Sequence, residues 1–133
     1  MPAPAAGLET VGVRSFDLSP DGNVMFFEGG DFGLRRTVRA DRASAFEPPT
    51  VISSPRVGWM TVSADERLLF GNREDLTGSV WAARDDVSQP FVDQGNLSIG
   101  GTCATANIGD ADITPDGARL VLRCTGSIYL LTH

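Results

Sequence analysis

Three stretches of the chain repeat one order of apolar and polar positions. They are Phe16-Asp17-Leu18-Ser19-Pro20-Asp21-Gly22, Met60-Thr61-Val62-Ser63-Ala64-Asp65-Glu66 and Ala111-Asp112-Ile113-Thr114-Pro115-Asp116-Gly117. Each alternates for a few residues, reaches Ser or Thr, passes an Asp, and enters a run of apolar residues. Alternation followed by a turn and a second apolar segment predicts a β-hairpin. Pro20 and Pro115 preset φ for the second turn position, Asp21 and Asp116 suit the third, and Gly22 and Gly117 can take the positive φ that closes a type I turn with a bulge. The middle copy keeps Asp65 but has neither Pro nor Gly. Its apolar run, Leu68-Leu69-Phe70, reads as arriving one residue early, so a shortened turn is expected, with Glu66 outside the left-handed region.

The second strands, Val24-Met25-Phe26-Phe27, Leu68-Leu69-Phe70 and Leu120-Val121-Leu122, are continuously apolar. A strand covered on both faces reads this way, whereas a surface hairpin alternates. Third strands are predicted at Leu34–Val38, Ser79–Ala83 and Ser127–Leu131. Val51-Ile52 and Asn96-Leu97 are candidate fourth strands at the outer edge, and Ala45-Phe46-Glu47-Pro48 parallels Gln89-Pro90-Phe91-Val92. The marker aspartates Asp21, Asp65 and Asp116 recur at intervals of 44 and 51 residues, a spacing within or just above that of propeller repeats. The prediction is an all-β fold of β-propeller-type repeats: about three four-stranded blades, a partial propeller.

The Ser-Pro-Asp-Gly hairpin, the buried run after it and Val80-Trp81-Ala82-Ala83-Arg84 resemble the WD40-like repeats of the TolB-type β-propeller family. The tract from Ser79 to Phe91 is similar to repeats of bacterial surface and periplasmic proteins. The resemblance covers about residues 15 to 133. It implies an interaction module outside the cytosol, periplasmic, cell-surface or secreted, although some members of the family are domains of peptidases.

Residues 1–7 read as a flexible Pro/Ala leader without the basic start or apolar core of a signal peptide, and 8–133 as the repeat domain, with repeats at about 15–57, 58–105 and 106–133. Leu8 to Arg14 could supply a strand to a neighbouring blade. The longer stretch from Ser98 to Gly109 accounts for the wider second interval and reads as a connector. Fifteen Gly and eight Pro in 133 residues favour many short strands, and no apolar stretch approaches the roughly 18 residues of a membrane span.

Charge narrows the partners. The formal balance is −6, from 17 acidic residues against 11 basic ones, all of them Arg. Without a basic stripe, nucleic acid and anionic membranes are not expected partners. The cluster Arg35-Arg36-Thr37-Val38-Arg39 with Arg42 is read as a solvated outer strand. The sole histidine, His133, stands at the last position, which does not suit a nucleophilic triad. There is no phosphate loop, Cys-x-x-Cys pair or His-x-x-x-His. No cofactor or metal is expected, since Glu74-Asp75, Asp85-Asp86 and Asp110 with Asp112 lack the ligand spacing of a calcium loop.

Carboxylates remain as candidate chemistry. Asp17 and Asp112 hold the same place in copies one and three, with Thr61 between them in copy two. If first strands are innermost, as in the family the repeats resemble, these carboxylates approach a central channel. There they could bind a cation or basic peptide, serve as an acid/base pair of a carbohydrate-active propeller, or hydrogen-bond neighbouring turns and strands. Trp59, placed just before a first strand, is the aromatic residue expected to meet solvent or a partner, and Trp81 is expected as a packed core or inter-blade residue and not a ligand platform. Cys103 and Cys124 are either two buried thiols or a bridge. The resemblance favours the bridge, since disulfides persist outside the cytosol; it would close a loop of about 20 residues and stabilise by about 3 kcal/mol.

The expected function is a non-catalytic binding or scaffolding module for a protein or small ligand, as a homodimer or with the remainder of a longer propeller. A propeller segment of a larger peptidase-type hydrolase is the competing class.

Overall fold

A computed structural model describes residues 12–31, 33–74, 78–97, 110–124 and 126–132. The leader, Leu8 to Val11, the Ser98 to Gly109 stretch, Cys103 and His133 lie outside them. Within them the chain is all β, in three antiparallel sheets. Blade 1 has the order β1 (Ser15–Leu18), β2 (Val24–Glu28), β3 (Leu34–Val38), β4 (Thr50–Val51). Blade 2 repeats it with β5 (Val57–Val62), β6 (Leu68–Arg73), β7 (Ser79–Ala83) and β8 (Val92–Asn96). In blade 3, β9 (Ala111–Ile113), β10 (Arg119–Cys124) and β11 (Ser127–Thr132) make three strands. The first strands β1, β5 and β9 lie side by side, so the blades form an arc of β-propeller type. No described helix is long and apolar enough to cross a membrane, which says nothing of β-barrels.

The three hairpin turns are built alike. The amide of Gly22, Glu66 and Gly117 donates to the carbonyl of Ser19, Ser63 and Thr114 at 2.7, 2.8 and 2.7 Å. The hydroxyl of the same Ser or Thr donates to Asp21, Asp65 and Asp116 at 2.5, 2.6 and 2.6 Å. It also accepts the amide of Val24, Leu68 or Arg119. Each Asp in turn accepts the amide two residues on. These bonds, the hydroxyl first, hold all three carboxyls below the usual range.

The middle turn is not shortened. Glu66 has φ +60°, beside +75° at Gly22 and +70° at Gly117. The hydroxyl–Asp frame dictates the turn without help from Pro or Gly, and Glu66 is held in the left-handed region by the bonds its side chain makes.

Two cores separate the blades. Between blades 1 and 2 lie Phe26, Leu34, Val57, Met60, Leu69, Val80, Ala82 and Phe91. Between blades 2 and 3 lie Phe70, Leu122 and Cys124, with Trp81, Leu97, Ile113, Leu120 and others packed against them. Because β2 and β6 are covered on both faces, their uninterrupted apolar runs make sense. β10 differs. Leu122 and Cys124 are buried, but Val121 is 36% exposed, so one face of a strand that reads as doubly buried stands open.

The loops after the third strands also repeat. Arg39 and Arg84 each donate Nε to the carbonyl of the turn residue, Gly22 or Glu66, at 2.9 and 2.7 Å. Each guanidinium lies over an aromatic ring, Arg39 on Phe46 at 4.6 Å and Arg84 on Phe91 at 4.3 Å. The parallel between the two Phe-containing tracts therefore marks a clamp that ties the loop after the third strand to the hairpin turn. The arginine cluster is not a solvated outer strand. β3 lies between β2 and β4; Arg35 pairs with Asp31 at 2.8 Å and Arg36 with Glu66 at 2.7 Å, while Arg42 donates to Asp21 O.

Candidate functional site

The seams between blades bring together the residues that the sequence singled out. Asp17 on β1, Thr61 on β5 and Asp112 on β9 are structurally equivalent, opposite Phe26, Phe70 and Val121 in their hairpins. The carboxylate of Asp17 crosses to blade 2: its Oδ2 accepts the Thr61 hydroxyl at 3.0 Å and the Val62 amide at 2.7 Å. Thr61 Oγ1 then accepts the amide of Ile113, on blade 3, at 3.3 Å. Val62 and Ile113 are themselves equivalent. One rule thus operates at both seams: the side chain at this position receives the backbone N–H of the next blade's first strand, one residue further along.

Burial pushes the Asp17 carboxyl up, the bonds from Val62 and Thr61 oppose it, and the nearby charge of Asp112 raises it further. Asp17 and Asp112 are therefore electrostatic neighbours, but Asp17 is spent on the seam. The Asp112 side chain is exposed and receives no hydrogen bond among the described residues.

A second lock closes the first seam. Arg36 reaches from blade 1 to the turn of blade 2 and binds Glu66 through two bonds, Nε to Oε2 at 2.7 Å and Nη2 to Oε1 at 2.8 Å. Arg84, with its side chain 1% exposed, joins them at 3.4 Å. Glu66 raises the pKa of Arg36, whereas burial lowers that of Arg84. Sequence reading missed this triad because its members are contributed by three elements; the sign left in the sequence was a Glu where the other copies have Gly.

Trp59 is 60% exposed, as expected, but it lies inside β5 and not before it. It takes φ +45° at a bulge where Trp59 and Met60 face the single residue Gly71. A Cβ on Gly71 would sit 3.1 Å from that of Val57 and 3.3 Å from that of Met60, so a larger residue opposite the bulge would have to push its neighbours aside by a few tenths of an ångström. The backbone N–H of Trp59 lies near the carboxylate of Glu28 and favours its charged form; Glu28, a buried residue of blade 1, accepts the Ser15 hydroxyl. Oε1 of Glu28 has no hydrogen-bond partner among the described residues, and burial is the first cause that raises its pKa. A bulky residue with positive φ is strained, and here the strain holds an exposed indole where two blades meet. Trp81, by contrast, is half-buried against the second core, the inter-blade position expected for it. Cys124 is buried in that core, and its expected partner Cys103 lies outside the described residues. Among the described residues no three metal-ligating side chains come together.

No protein-family model and no curated protein matches the chain. Among solved structures, a 6-phosphogluconolactonase-like protein of Bacteroides fragilis aligns with a TM-score of 0.56 at 17% identity, over 98% of this chain and 36% of its own. Hydrazine synthase of Kuenenia stuttgartiensis aligns with 0.54 at 13%, over 99% and 36%. Both are propeller-like folds, and at such identities the likeness speaks for fold alone. This chain spans about 36% of the length of either neighbour.

Proposed function

We propose that the chain is a non-catalytic binding or scaffolding segment of β-propeller type, acting outside the cytosol, and that its first partner is a further blade. The observation that carries this is the outer face of blade 3. Asp112, Val121 and Leu130 occupy the positions of Thr61, Phe70 and Trp81 in blade 2 and of Asp17, Phe26 and Arg36 in blade 1. In blades 1 and 2 those positions meet the next blade. In blade 3 Asp112 is exposed, as are Leu130 (56%) and Ile128 (77%) beside it. A face that carries Val121, Leu130 and Ile128, flanked by Arg119 and Arg123, at the positions of two buried faces, with a hydrogen-bond acceptor at the same register, supports a blade as its partner. That blade would come from a second copy or from more of the same polypeptide.

The extracytoplasmic setting rests on the resemblance to TolB-type repeats and on the proposed Cys103–Cys124 bridge, which the absence of any free cysteine among the described residues supports. A catalytic Asp17–Asp112 pair has less support, because Asp17 Oδ2 already accepts two bonds across the seam. A direct test is hydrophobic dye binding. The isolated chain in monomeric form should bind 8-anilinonaphthalene-1-sulfonate, and Leu130→Glu with Ile128→Glu should abolish most of the signal. Dye binding unchanged by that pair would overturn the assignment of the face.

A further inference from the structure

Blade 1 has an open half-seam of its own, on the face turned away from blade 2. Phe16 and Leu18 on β1 hold the places of Met60 and Val62 on β5 and of Ala111 and Ile113 on β9. Met60 and Val62 pack into the first seam and Ala111 and Ile113 into the second, each pair facing the blade before its own. In blade 1 the same positions stand open: Phe16 is 61% exposed and Leu18 44%. On β2 that face is already buried at Met25 and Phe27, so the open part of blade 1 is its first strand. A seam draws that strand closest, since β5 approaches β1 and β2, and β9 approaches β5 and β6.

The backbone agrees with the side chains. Ser19, Ser63 and Thr114 donate their N–H groups to the second strands, to the carbonyls of Val24, Leu68 and Arg119. Alternation then turns the N–H of the preceding residue, Leu18, Val62 or Ile113, away from the second strand. Val62 and Ile113 give theirs to Asp17 and Thr61 of the blade before. The N–H of Leu18, with the Asp17 carboxylate of its own blade beside it, is the equivalent donor, and Asp112 is the equivalent acceptor. The turns match too: Leu130 has the place of Trp81, which shares the second seam with Gly117, and Gly22 has the place of Gly117.

We infer that the partner of blade 3 is blade 1 of a second copy of this chain, docked head to tail, with Asp112 accepting the Leu18 N–H and Leu130 set against the Gly22 turn. This rests on the reading of the outer face of blade 3 as a docking face and names its occupant. Two copies of three blades each make six, within the roughly four to eight of a closed propeller. A two-fold axis along the channel makes the same junction twice, so one substitution on either face breaks both.

Native mass spectrometry and sedimentation of the intact chain test this. The wild type should be a dimer. Leu130→Glu, on blade 3, and Leu18→Glu, on blade 1, should each be monomeric. Mixed, with one of them isotope-labelled, the two should form a heterodimer, because one of its two junctions is then wild type. Asp112→Thr, which copies Thr61, should hold the dimer Kd within about threefold, while Asp112→Val, of the same shape without the acceptor, should weaken it about tenfold or more. A monomeric wild type whose dye binding falls in the Leu130→Glu and Ile128→Glu double variant would overturn the second copy and leave blade 3 a docking face for more of the same polypeptide. A dimer lost in Leu130→Glu but kept in Leu18→Glu would overturn the head-to-tail arrangement in favour of two blade 3 faces packed together. Should a glutamate variant fail to fold, the Asp112 pair decides: equal dimer affinity in Asp112→Thr and Asp112→Val overturns the inference.

Discussion

The Thr61 hydroxyl donates to Asp17 Oδ2 at 3.0 Å while its oxygen accepts the Ile113 amide at 3.3 Å, so one side chain links all three blades. Thr61 is 2% exposed, and its hydroxyl has no water to replace either partner. Thr61→Val keeps the shape and removes both bonds, leaving Asp17 and the Ile113 N–H each short of a partner. It should destabilise by about 2 kcal/mol in chemical denaturation. Thr61→Ser should cost less than half as much, because the hydroxyl is retained. Equal losses in the two variants would mean that packing of the methyl group, and not the relay, is what matters.

Glu66 combines a strained backbone with a bridging side chain. Glu66→Gly relieves a φ of +60° but removes the partner of Arg36 and Arg84. The lost pair should outweigh the relieved strain, for a net destabilisation of about 1 kcal/mol. Glu66→Ala keeps the strain and loses the pair, so it should be worse by about a further 1 kcal/mol. Thermal melts of the two variants beside the wild type check the order; a Glu66→Gly protein more stable than wild type would show that the triad contributes little.

Glu28 sets a pH signature. Burial raises its folded pKa above the ordinary 4.5, so the ionised carboxylate weighs against the folded state at neutral pH. As pH falls through the raised value Glu28 takes up its proton, and that penalty disappears by the unfolded pKa. The turn aspartates Asp21, Asp65 and Asp116 have lowered values and do the opposite, losing stability as pH falls below about 4. Comparing wild type with Glu28→Gln cancels the turns. From pH 7 down to about pH 4.5 the wild type should gain stability relative to the variant. A difference that is flat with pH, or that moves the other way, would place Glu28 in contact with more solvent or more positive charge than the fold shows.

The two tryptophans separate strain from packing. Trp59, exposed and at positive φ, should tolerate Trp59→Gly with no loss of thermal midpoint or a small gain. Trp81→Ala, which empties part of the second seam, should destabilise by about 2 kcal/mol or more. The reverse ranking would mean that the β5 bulge depends on contacts of the indole.

The hairpins and the strand order were legible because they rest on local chemistry. A hydroxyl, an Asp two residues on and an apolar run specify each turn, and the continuous apolar runs announced burial on both faces. What escaped was distant in sequence. The Arg36–Glu66–Arg84 triad, the place of Glu28 beside Trp59 and the bulge opposite Gly71 are pairings between elements, and the one mark they left in residue type is the Glu at the turn position that is Gly in the other copies. Glu66 misled for a physical reason: tertiary ion pairs outweigh a local preference for Gly. Asp17 and Asp112 were recognised as equivalent, but their engagement with the next blade depends on how the blades stack, which strand periodicity does not encode.

The run Leu120-Val121-Leu122 of β10 reads as buried on both faces, and the structure covers one. Multi-angle light scattering on the purified chain, with and without Leu130→Glu, measures whether something takes the other. The expected result is a mass above that of one chain, or a monomer that binds hydrophobic dye and gains mass when further blades are supplied, and in either case a monomer with a reduced dye signal in Leu130→Glu. A wild-type chain that is monodisperse, monomeric and dye-silent would contradict the claim that blade 3 presents a docking face.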